Sequence, residues 1–286
     1  MNNPNISAKK KYGILTKLMK SQKISTIPPL IENNQTITDP KQKSDMLNKH
    51  FANKSTLPGP DDELPRLDKF DTFSDLSQIN TNPIELSKII RTMKKSNQSS
   101  CGVPGKFLSL IATPISFPLS VLFNEMFREG FFPDEFKVAH ITAIWKQEGL
   151  KSSPQSYCPI SLLQTFSKIC ESVMHHRLLS HLIENNLITD RQAAYMKGDS
   201  MTNQLLCLTH LIRSTWASGK IAHGLFLDVA AAFEKVWHKG MAAKLEQNGI
   251  TESCLDLFKS YLSNRKLVVV VDGVKSHTEV INAGIP

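Results

Sequence analysis

The sequence predicts an α+β fold, in which helices and strands are partly segregated along the chain. Three observations indicate this class. Apolar residues recur with helical spacing in several segments between residues 82 and 262. Isolated strand patterns interrupt these segments at Val138–Trp145 and Gly224–Val229. A Val-rich hairpin pattern follows at Lys266–Asn282. This order of helices, lone strands and a hairpin is typical of a sheet with helices grouped beside it.

The composition excludes several classes of protein. A hydrophobic content of 41% over 286 residues allows a sizeable core and rules out disorder throughout. The longest apolar runs have five residues, whereas a membrane span needs about 20. The first residues, MNNPNISAKKKYG, lack the apolar segment of a secretory signal, so we expect an intracellular protein. The five cysteines form no C-x-x-C pair, which favours reduced thiols over disulfides or zinc.

The positive charge is concentrated at one end of the chain. Residues 1–54 contain ten lysines and three acidic residues, whereas the rest is nearly neutral, and the total is +8. Such an arm fits a polyanionic partner such as nucleic acid. It fits equally well a solvated tail that keeps the chain soluble, and charge alone leaves both interpretations open.

Residues 1–80 are predicted to be a loosely ordered leader. A short helix is expected over Lys41–Phe51, where Met46, Leu47 and Phe51 share one side. The segment LPGPDDEL at 57–64 combines proline, glycine and acidic residues, and we interpret it as a linker.

The remaining elements follow from apolar period, caps and breakers. Helices are predicted over 82–95, 118–129, 165–185, 200–218, 241–248 and 252–262. Asp199 or Ser200 is expected to cap the fourth of these helices, and Gly219 to end it. Polar loops are predicted over 96–105 and 147–159. The hairpin is predicted to turn at Asp272-Gly273. Apolar residues of the predicted helices are assigned to the core, including Phe166, Leu178, Leu206 and Trp216.

A lone carboxylate, Asp228, ends an apolar strand that is predicted to be buried on both faces. Burial of an unpaired carboxylate is costly, so Asp228 needs a partner, a metal or an exposed strand end. Oxygen ligands at such an edge suit Mg²⁺. Capping of the following turn is the alternative, and both remain open from the local pattern.

Several ordered blocks resemble the reverse transcriptase domain of non-long-terminal-repeat retrotransposons of the jockey type. They are FPDEFKVAHITAIWKQEG, ENNLITDRQAAYMKG, FLDVAAAFEKVWHKGMAAKLEQNGI, FKSYLSNRK and VVVVDGVKSHTEVINAGIP. The leader, with STIPPL and NQTITDPKQKSDMLNKHF, resembles the segment that connects endonuclease and polymerase in such elements. The resemblance implies fingers and a partial palm of a right-hand polymerase over residues 81–286, preceded by a connector over 1–80.

The resemblance also implies an activity: RNA-directed DNA polymerisation on an RNA template with a DNA primer, from deoxynucleoside triphosphates and with Mg²⁺. Asp228 is then the first metal-binding carboxylate, and the carbonyl of Val229 is a further ligand. Phe233 is the aromatic gate against a 2′-hydroxyl, with a plain core aromatic as the alternative. Lys146 contacts the triphosphate, with a surface lysine as the alternative.

Roles are also assigned to residues outside this set. Lys197 and Gly198 are candidates for a contact with template or primer phosphate, or they form a turn before the capped helix. Arg265 and Lys266 are interpreted as a solvated charge pair. His175, His176 and His238 lack a metal-ligand constellation and are assigned to the surface or to packing.

The sequence departs from the family pattern at polar positions. Cys158 replaces an arginine that is expected to bind the triphosphate, and Asp199 stands where relatives often carry arginine. The family continues beyond AGIP with Gln-Gly and an Ala-Asp-Asp hairpin that carries the other catalytic carboxylates. We therefore expect residues 1–286 to be inactive alone, as a decayed copy or an incomplete one. The alternatives are a non-catalytic nucleic-acid-binding remnant and an inert product.

Overall fold

The structure is a computed structural model, and it describes residues 25–32, 35–59, 63–64, 74–93 and 103–285. The helices in these residues are α1 (Pro40–Lys54), α2 (Pro83–Thr92), α3 (Gly105–Leu110), α4 (Ala112–Arg128), α5 (Thr165–Glu184), α6 (Met201–Ala217), α7 (His238–Gln247) and α8 (Glu252–Leu262). The strands are β1 (Leu30–Glu32), β2 (Gln35–Ile37), β3 (Val138–Trp145), β4 (Tyr157–Leu162), β5 (Arg265–Val271), β6 (Val274–Lys275) and β7 (Glu279–Ile281).

Five of the strands form one sheet in the order β4–β3–β5–β6, and β7 also pairs with β5. The pairings of β5 are antiparallel, with Val270 opposite Lys275 and Arg265 opposite Ile281. Strands β1 and β2 form a separate antiparallel pair. The presence of both helices and a sheet confirms the predicted combination of the two kinds of element.

The chain divides into two compact units. The first comprises the described residues up to Phe51 together with 141–160 and 268–278, and the second comprises the remainder. In the second unit, helices α2, α4, α5 and α8 bury one continuous apolar cluster, which includes Leu86, Phe123 and Phe127. The first helix of this cluster starts as predicted, because the Asn82 side chain accepts a hydrogen bond from Glu85 N at 2.9 Å.

In the first unit, leader residues are attached to the β5–β6 turn by polar contacts. The buried ammonium of Lys43 donates to Ile27 O at 2.7 Å and to Ser25 Oγ at 3.3 Å. Asp272 accepts hydrogen bonds from the Thr26 backbone at 3.0 Å and from the Ser25 hydroxyl. Leu30, Leu47 and Phe51 are buried. Described leader residues therefore contribute to a packed core.

Most predicted helices are confirmed within a few residues, including α1, α2, α5, α6 and α8. Helix α4 begins earlier than predicted and contains Pro118 in its interior. Pro118 and Pro114 are exposed, so water can satisfy the carbonyl that loses its helical partner. Helix α3 and strand β4 were not predicted, since their short segments carry no clear apolar period.

The predicted strand at Gly224–Val229 is wrong. These residues form no regular secondary structure, and Leu225, Phe226 and Leu227 are 84%, 82% and 85% exposed. A strand needs a neighbouring backbone to satisfy its N–H and C=O groups. None of the strands in the described residues pairs with this segment. The local pattern therefore identified strand-forming side chains but not a pairing partner.

Two further assignments to core or surface are also corrected. Helix α6 has no buried residue, and its Leu206 and Trp216 are 63% and 67% exposed, although Phe166 and Leu178 pack against the core as predicted. Arg265 was assigned to a solvated pair but is only 2% exposed. No helix among the described residues is long and apolar enough to cross a membrane.

Candidate functional site

Asp228 lies in an exposed stretch that connects α6 to α7. No backbone hydrogen bond among the described residues involves 221–230, and no hydrogen bond or ion pair in that part of the chain reaches the Asp228 carboxylate. The turn-capping alternative therefore lacks the contact that it requires. The described residues contain no group of three or more His, Cys, Asp or Glu side chains that could hold a metal. Asp228 and the adjacent carbonyl of Val229 offer two oxygen ligands, which suit Mg²⁺ in kind but fall short of a full set.

The chain is anchored a few residues after Asp228. Ile285 N donates to Phe233 O at 3.0 Å, and Gly284 N donates to Val236 O at 2.9 Å. Gly284 has a φ of +85°, and a Cβ atom there would lie 2.7 Å from Glu234 O. This close approach requires glycine, because any side chain would push the two backbones apart.

Phe233 forms an aromatic pair that the sequence did not predict. Its ring lies edge-on to that of Tyr195, with centroids 6.1 Å apart and an interplanar angle of 87°. Phe233 is 52% exposed and Tyr195 is 85% exposed, so Phe233 is not a core aromatic. Edge-to-face pairs of this kind stabilise a ring orientation by about 0.5–1.5 kcal/mol. Tyr195 lies in one of the blocks that carry the family resemblance, but nothing in its spacing indicated this contact.

Lys197 and Gly198 lie in the exposed loop that follows Tyr195. Gly198 has a φ of +95°, and a Cβ atom there would meet nothing within 4 Å, so the backbone is open to a ligand. The next residue, Asp199, accepts from Ser200 N and from Gln204 Nε2, both at 2.7 Å. These hydrogen bonds, led by that from Ser200 N, lower the pKa of Asp199. Asp199 therefore has a structural role at the start of α6, as does Ser200, whose hydroxyl accepts from Asn203 N at 3.2 Å.

Lys146 follows β3 in the first unit and is exposed. Its backbone N–H donates to Ser156 O at 2.9 Å, which brings it beside the start of β4. Cys158 lies two residues further along that strand and is half-buried. Position 158 thus lies on β4, two residues after the backbone partner of Lys146, and its short thiol cannot supply the positive charge of a guanidinium.

His238 begins α7 and has a structural contact. Its Nε2 donates to Gly284 O at 2.7 Å, so the packing assignment for His238 is confirmed. Burial lowers the pKa of His238, and the positive charge of Arg265 acts in the same direction, whereas the hydrogen bond to Gly284 opposes the shift. His175 and His176 are exposed, as expected.

The structure brings together only part of the predicted site. The loop that carries Lys197 and Gly198 approaches Phe233 through the Tyr195 ring. Asp228 and Val229 precede Phe233 on the same segment. These residues belong to the second unit, and Lys146 belongs to the first.

Residues 146–286 match the sequence profile of a family described as reverse transcriptase (RNA-dependent DNA polymerase). The chain is 26% identical over 278 residues, or 95% of its length, to a probable RNA-directed DNA polymerase from transposon BS of Drosophila melanogaster. It is 29% identical over 71% of its length to a probable RNA-directed DNA polymerase from transposon X-element. It is 32% identical over 59% of its length to the RNA-directed DNA polymerase from mobile element jockey. Both come from Drosophila melanogaster.

The chain spans less than a third of the length of these relatives. The aligned segment covers 30% of the transposon BS protein, 22% of the X-element protein and 18% of the jockey protein. All predicted site residues from Lys146 to Phe233 lie within the profile match.

Proposed function

We propose that the chain is part of an RNA-directed DNA polymerase of a retrotransposon, because residues 146–286 match the reverse transcriptase family. The observation that carries this proposal is the position of the candidate site residues, all of which lie within the matched segment. The reaction joins a deoxynucleoside monophosphate to a DNA primer paired with an RNA template and releases pyrophosphate. The similarity to three transposon polymerases supports this substrate class.

Each residue takes a role that its position allows. Asp228 and the carbonyl of Val229 contribute oxygen ligands to Mg²⁺, which when bound supplies activation of the primer hydroxyl and charge neutralisation of the leaving group. Lys146 binds the triphosphate as an exposed point charge. Phe233 presents a half-exposed ring to the nucleotide sugar. Lys197, with the open backbone of Gly198, contacts a nucleic-acid phosphate.

Metal binding by Asp228 can be tested without catalysis. Mn²⁺ is a spectroscopic substitute for Mg²⁺, and its binding to the polypeptide 1–286 can be followed by electron paramagnetic resonance. We expect Asp228→Asn to weaken binding, whereas Asp256→Asn, which changes an exposed carboxylate on α8, leaves it unaltered. Equal affinities of the two variants would refute the metal assignment.

We also propose that the polypeptide 1–286 does not polymerise on its own. One carboxylate and one carbonyl cannot coordinate two Mg²⁺ ions, and the described residues contain no group of three or more His, Cys, Asp or Glu side chains that could supply the missing ligands. A primer-extension assay with an RNA template should give no product. Product that disappears in Asp228→Asn would contradict this proposal while supporting the polymerase assignment.

The triphosphate site can be tested by restoring a positive charge. Cys158→Arg places a guanidinium on the strand beside Lys146, and charge-assisted contacts of this kind should tighten binding of a fluorescent deoxynucleoside triphosphate by about tenfold. Cys207→Arg adds the same charge on exposed α6 and is the matched control. Equal effects of the two substitutions would remove position 158 from the site.

A second candidate function is nucleic-acid binding without catalysis. The observation that favours it is the basic arm, of which residues 1–24 hold six lysines and no acidic residue. Removal of 1–24 leaves Lys43 and the buried leader residues intact, whereas removal of 1–54 would damage the first unit. If the arm binds, its deletion should reduce the slope of log K against log salt for single-stranded RNA by up to about 4. An unchanged slope would show that the arm does not bind.

The proposed boundary between a leader over 1–80 and a polymerase domain over 81–286 can be tested by limited proteolysis. If this linker is accessible, the protease should cut the chain within 57–64 and produce two fragments. The contacts of the first unit should keep leader residues 25–51 bound to the second fragment, so that the two fragments co-purify. The intracellular location, which polymerisation of DNA requires, remains a prediction.

A further inference from the structure

A groove of about 390 Å³ lies between α2 and α4 in the second unit. Helix α2 contributes Ile84, Lys88 and Arg91, and helix α4 contributes Thr113 and Phe117. None of the residues assigned to metal, nucleotide or nucleic-acid binding lines it. The groove therefore requires an explanation separate from the proposed polymerase site.

The rim of this groove is apolar and exposed. Ile84 is 71% exposed and Phe117 is 67% exposed, and Val121, one turn beyond Phe117, is also exposed. The same helices bury other side chains in the core, among them Leu86 and Ile90 on α2. The exposed apolar side chains are thus not needed for folding of this unit. Large apolar side chains that cluster at a surface mark an interaction site.

The charged side chains that line the groove are all positive. Its lining includes Lys88 and Arg91 and no acidic residue. On the opposite wall, α4 carries no charged residue from Ala112 to Asn124. Arg91 Nη2 donates to Thr113 Oγ1 at 2.8 Å, which holds the guanidinium across one end of the groove. A guanidinium has five N–H donors, so this bond leaves capacity for a carboxylate.

The spacing of the side chains indicates the shape of the occupant. Ile84, Lys88 and Arg91 recur at intervals of three or four residues along α2, and Thr113 and Phe117 lie four residues apart on α4. Exposed Val121 continues this spacing beyond the residues that line the groove. One helical turn rises about 5.4 Å, so a third helix in the groove would match both walls turn by turn. Its apolar residues would meet Ile84 and Phe117, and acidic residues on its flank would meet Lys88 and Arg91.

Two other occupants fit less well. A nucleic acid requires cations spaced along its phosphates, whereas this groove offers two cations within an apolar rim. A second copy of the chain, related by a two-fold axis, would bring the positive groove against itself. We propose that the α2–α4 groove binds an acidic amphipathic helix of a partner protein.

The test uses the polypeptide 1–286 and a fluorescein-labelled 16-residue helical peptide with leucine at i, i+3, i+4 and i+7 and glutamate on the flanks. Binding is followed by fluorescence anisotropy. The comparison probes are the same peptide with lysine in place of glutamate and a single-stranded RNA of 16 nucleotides. We expect the acidic peptide to bind about tenfold more tightly than the basic one.

Variants locate the binding. The double substitution Lys88→Glu with Arg91→Glu should weaken binding of the acidic peptide by about tenfold or more, and Phe117→Ser should weaken it by about fivefold. Lys244→Glu reverses an exposed charge on α7 and should change nothing. Circular dichroism confirms that each variant is folded; all four sites are exposed, so folding should be retained.

Three outcomes would overturn the proposal. They are no binding of the acidic peptide at about 1 mM, binding that the groove variants do not alter, and RNA binding that the double substitution abolishes while peptide binding persists. None of these outcomes bears on Mn²⁺ binding by Asp228, so the groove and the polymerase site are tested independently.

Discussion

Arg177 of α5 donates from Nη2 to Glu85 of α2, with 2.6 Å between Nη2 and Oε2. The same nitrogen donates to Asn80 O at 3.0 Å, and the Thr81 hydroxyl donates to Glu85 at 2.9 Å. The two charged side chains are 32% and 20% exposed. This partly buried network connects the long helix α5 to the start of α2.

We predict that Arg177→Met lowers the free energy of unfolding by about 1–3 kcal/mol, because it leaves the Glu85 carboxylate without its charged donor. Arg128 is the matched control, since its ion pairs with Glu125 and Glu129 are more than half exposed. Arg128→Met should cost less than about 1 kcal/mol. Urea unfolding measures both. Equal costs would show that burial does not strengthen the first pair.

We predict that His238 makes stability depend on pH. Its pKa in the folded state is lowered by burial from the usual 6.5, so the unfolded chain takes up a proton first as the pH falls. Stability is therefore complete above pH 6.5 and declines below it until the folded pKa is reached. The slope for one proton is at most about 1.4 kcal/mol per pH unit. Denaturant midpoints between pH 5 and 8 measure this decline.

The matched variants for His238 separate its proton from its hydrogen bond. His238→Gln retains an N–H that can reach Gly284 O but does not titrate, so it should flatten the decline below pH 6.5. His175→Gln changes an exposed histidine on α5 and should leave the decline unaltered. A decline that persists in His238→Gln would assign it to other groups.

We predict that the cysteines differ strongly in reactivity. Burial raises the pKa of Cys254 to about 12 and also raises the pKa of buried Cys170 well above its usual range. Since the thiolate is the reactive form, both should resist iodoacetamide at pH 8, whereas exposed Cys207 should be alkylated quickly. Peptide mapping by mass spectrometry reads each site separately. Alkylation of Cys170 at the rate of Cys207 in the folded protein would contradict its burial.

We predict that Gly284→Ala is more damaging than an alanine at an open glycine. Both Gly284 and Gly219 have positive φ, at +85° and +67°, but only at Gly284 would the new Cβ lie against a backbone oxygen. Gly219→Ala should cost about 1 kcal/mol from the backbone conformation alone, and Gly284→Ala should cost about 1–3 kcal/mol more. Thermal and urea unfolding measure both. Equal costs would refute the close approach to Glu234.

Local sequence rules predicted the features that depend on near neighbours. The caps at Asn82 and Ser200 and the bounds of α8 follow from residues three or four positions apart, and they are confirmed. Contacts between distant segments could not be predicted in this way. The backbone N–H of Phe132, for example, donates to the hydroxyl of Ser260 at 3.0 Å, across 128 positions of the chain. Nothing in the local sequence around either residue indicates this contact.

The same distinction applies to the candidate site. The carboxylate at Asp228 and the aromatic at Phe233 could be selected by residue type and family resemblance. The Tyr195 contact could not, because it joins segments 38 positions apart through a ring orientation. The strand before Asp228 failed as a prediction because its side chains fit a sheet, whereas strand formation also depends on a partner backbone.

The anchor at Phe233 limits how far the Asp228 carboxylate can travel. Phe233 lies five positions after Asp228, and even a fully extended segment of that length spans only about 17 Å. Although the segment is exposed and unpaired among the described residues, Asp228 is thus kept at an effective concentration of at least millimolar order near the Phe233–Tyr195 rings. A ligand held beside those rings would meet the carboxylate by a short local search. Gly284 permits the close backbone packing that fixes the segment at Phe233, and it thereby limits the region that the Asp228 carboxylate can reach.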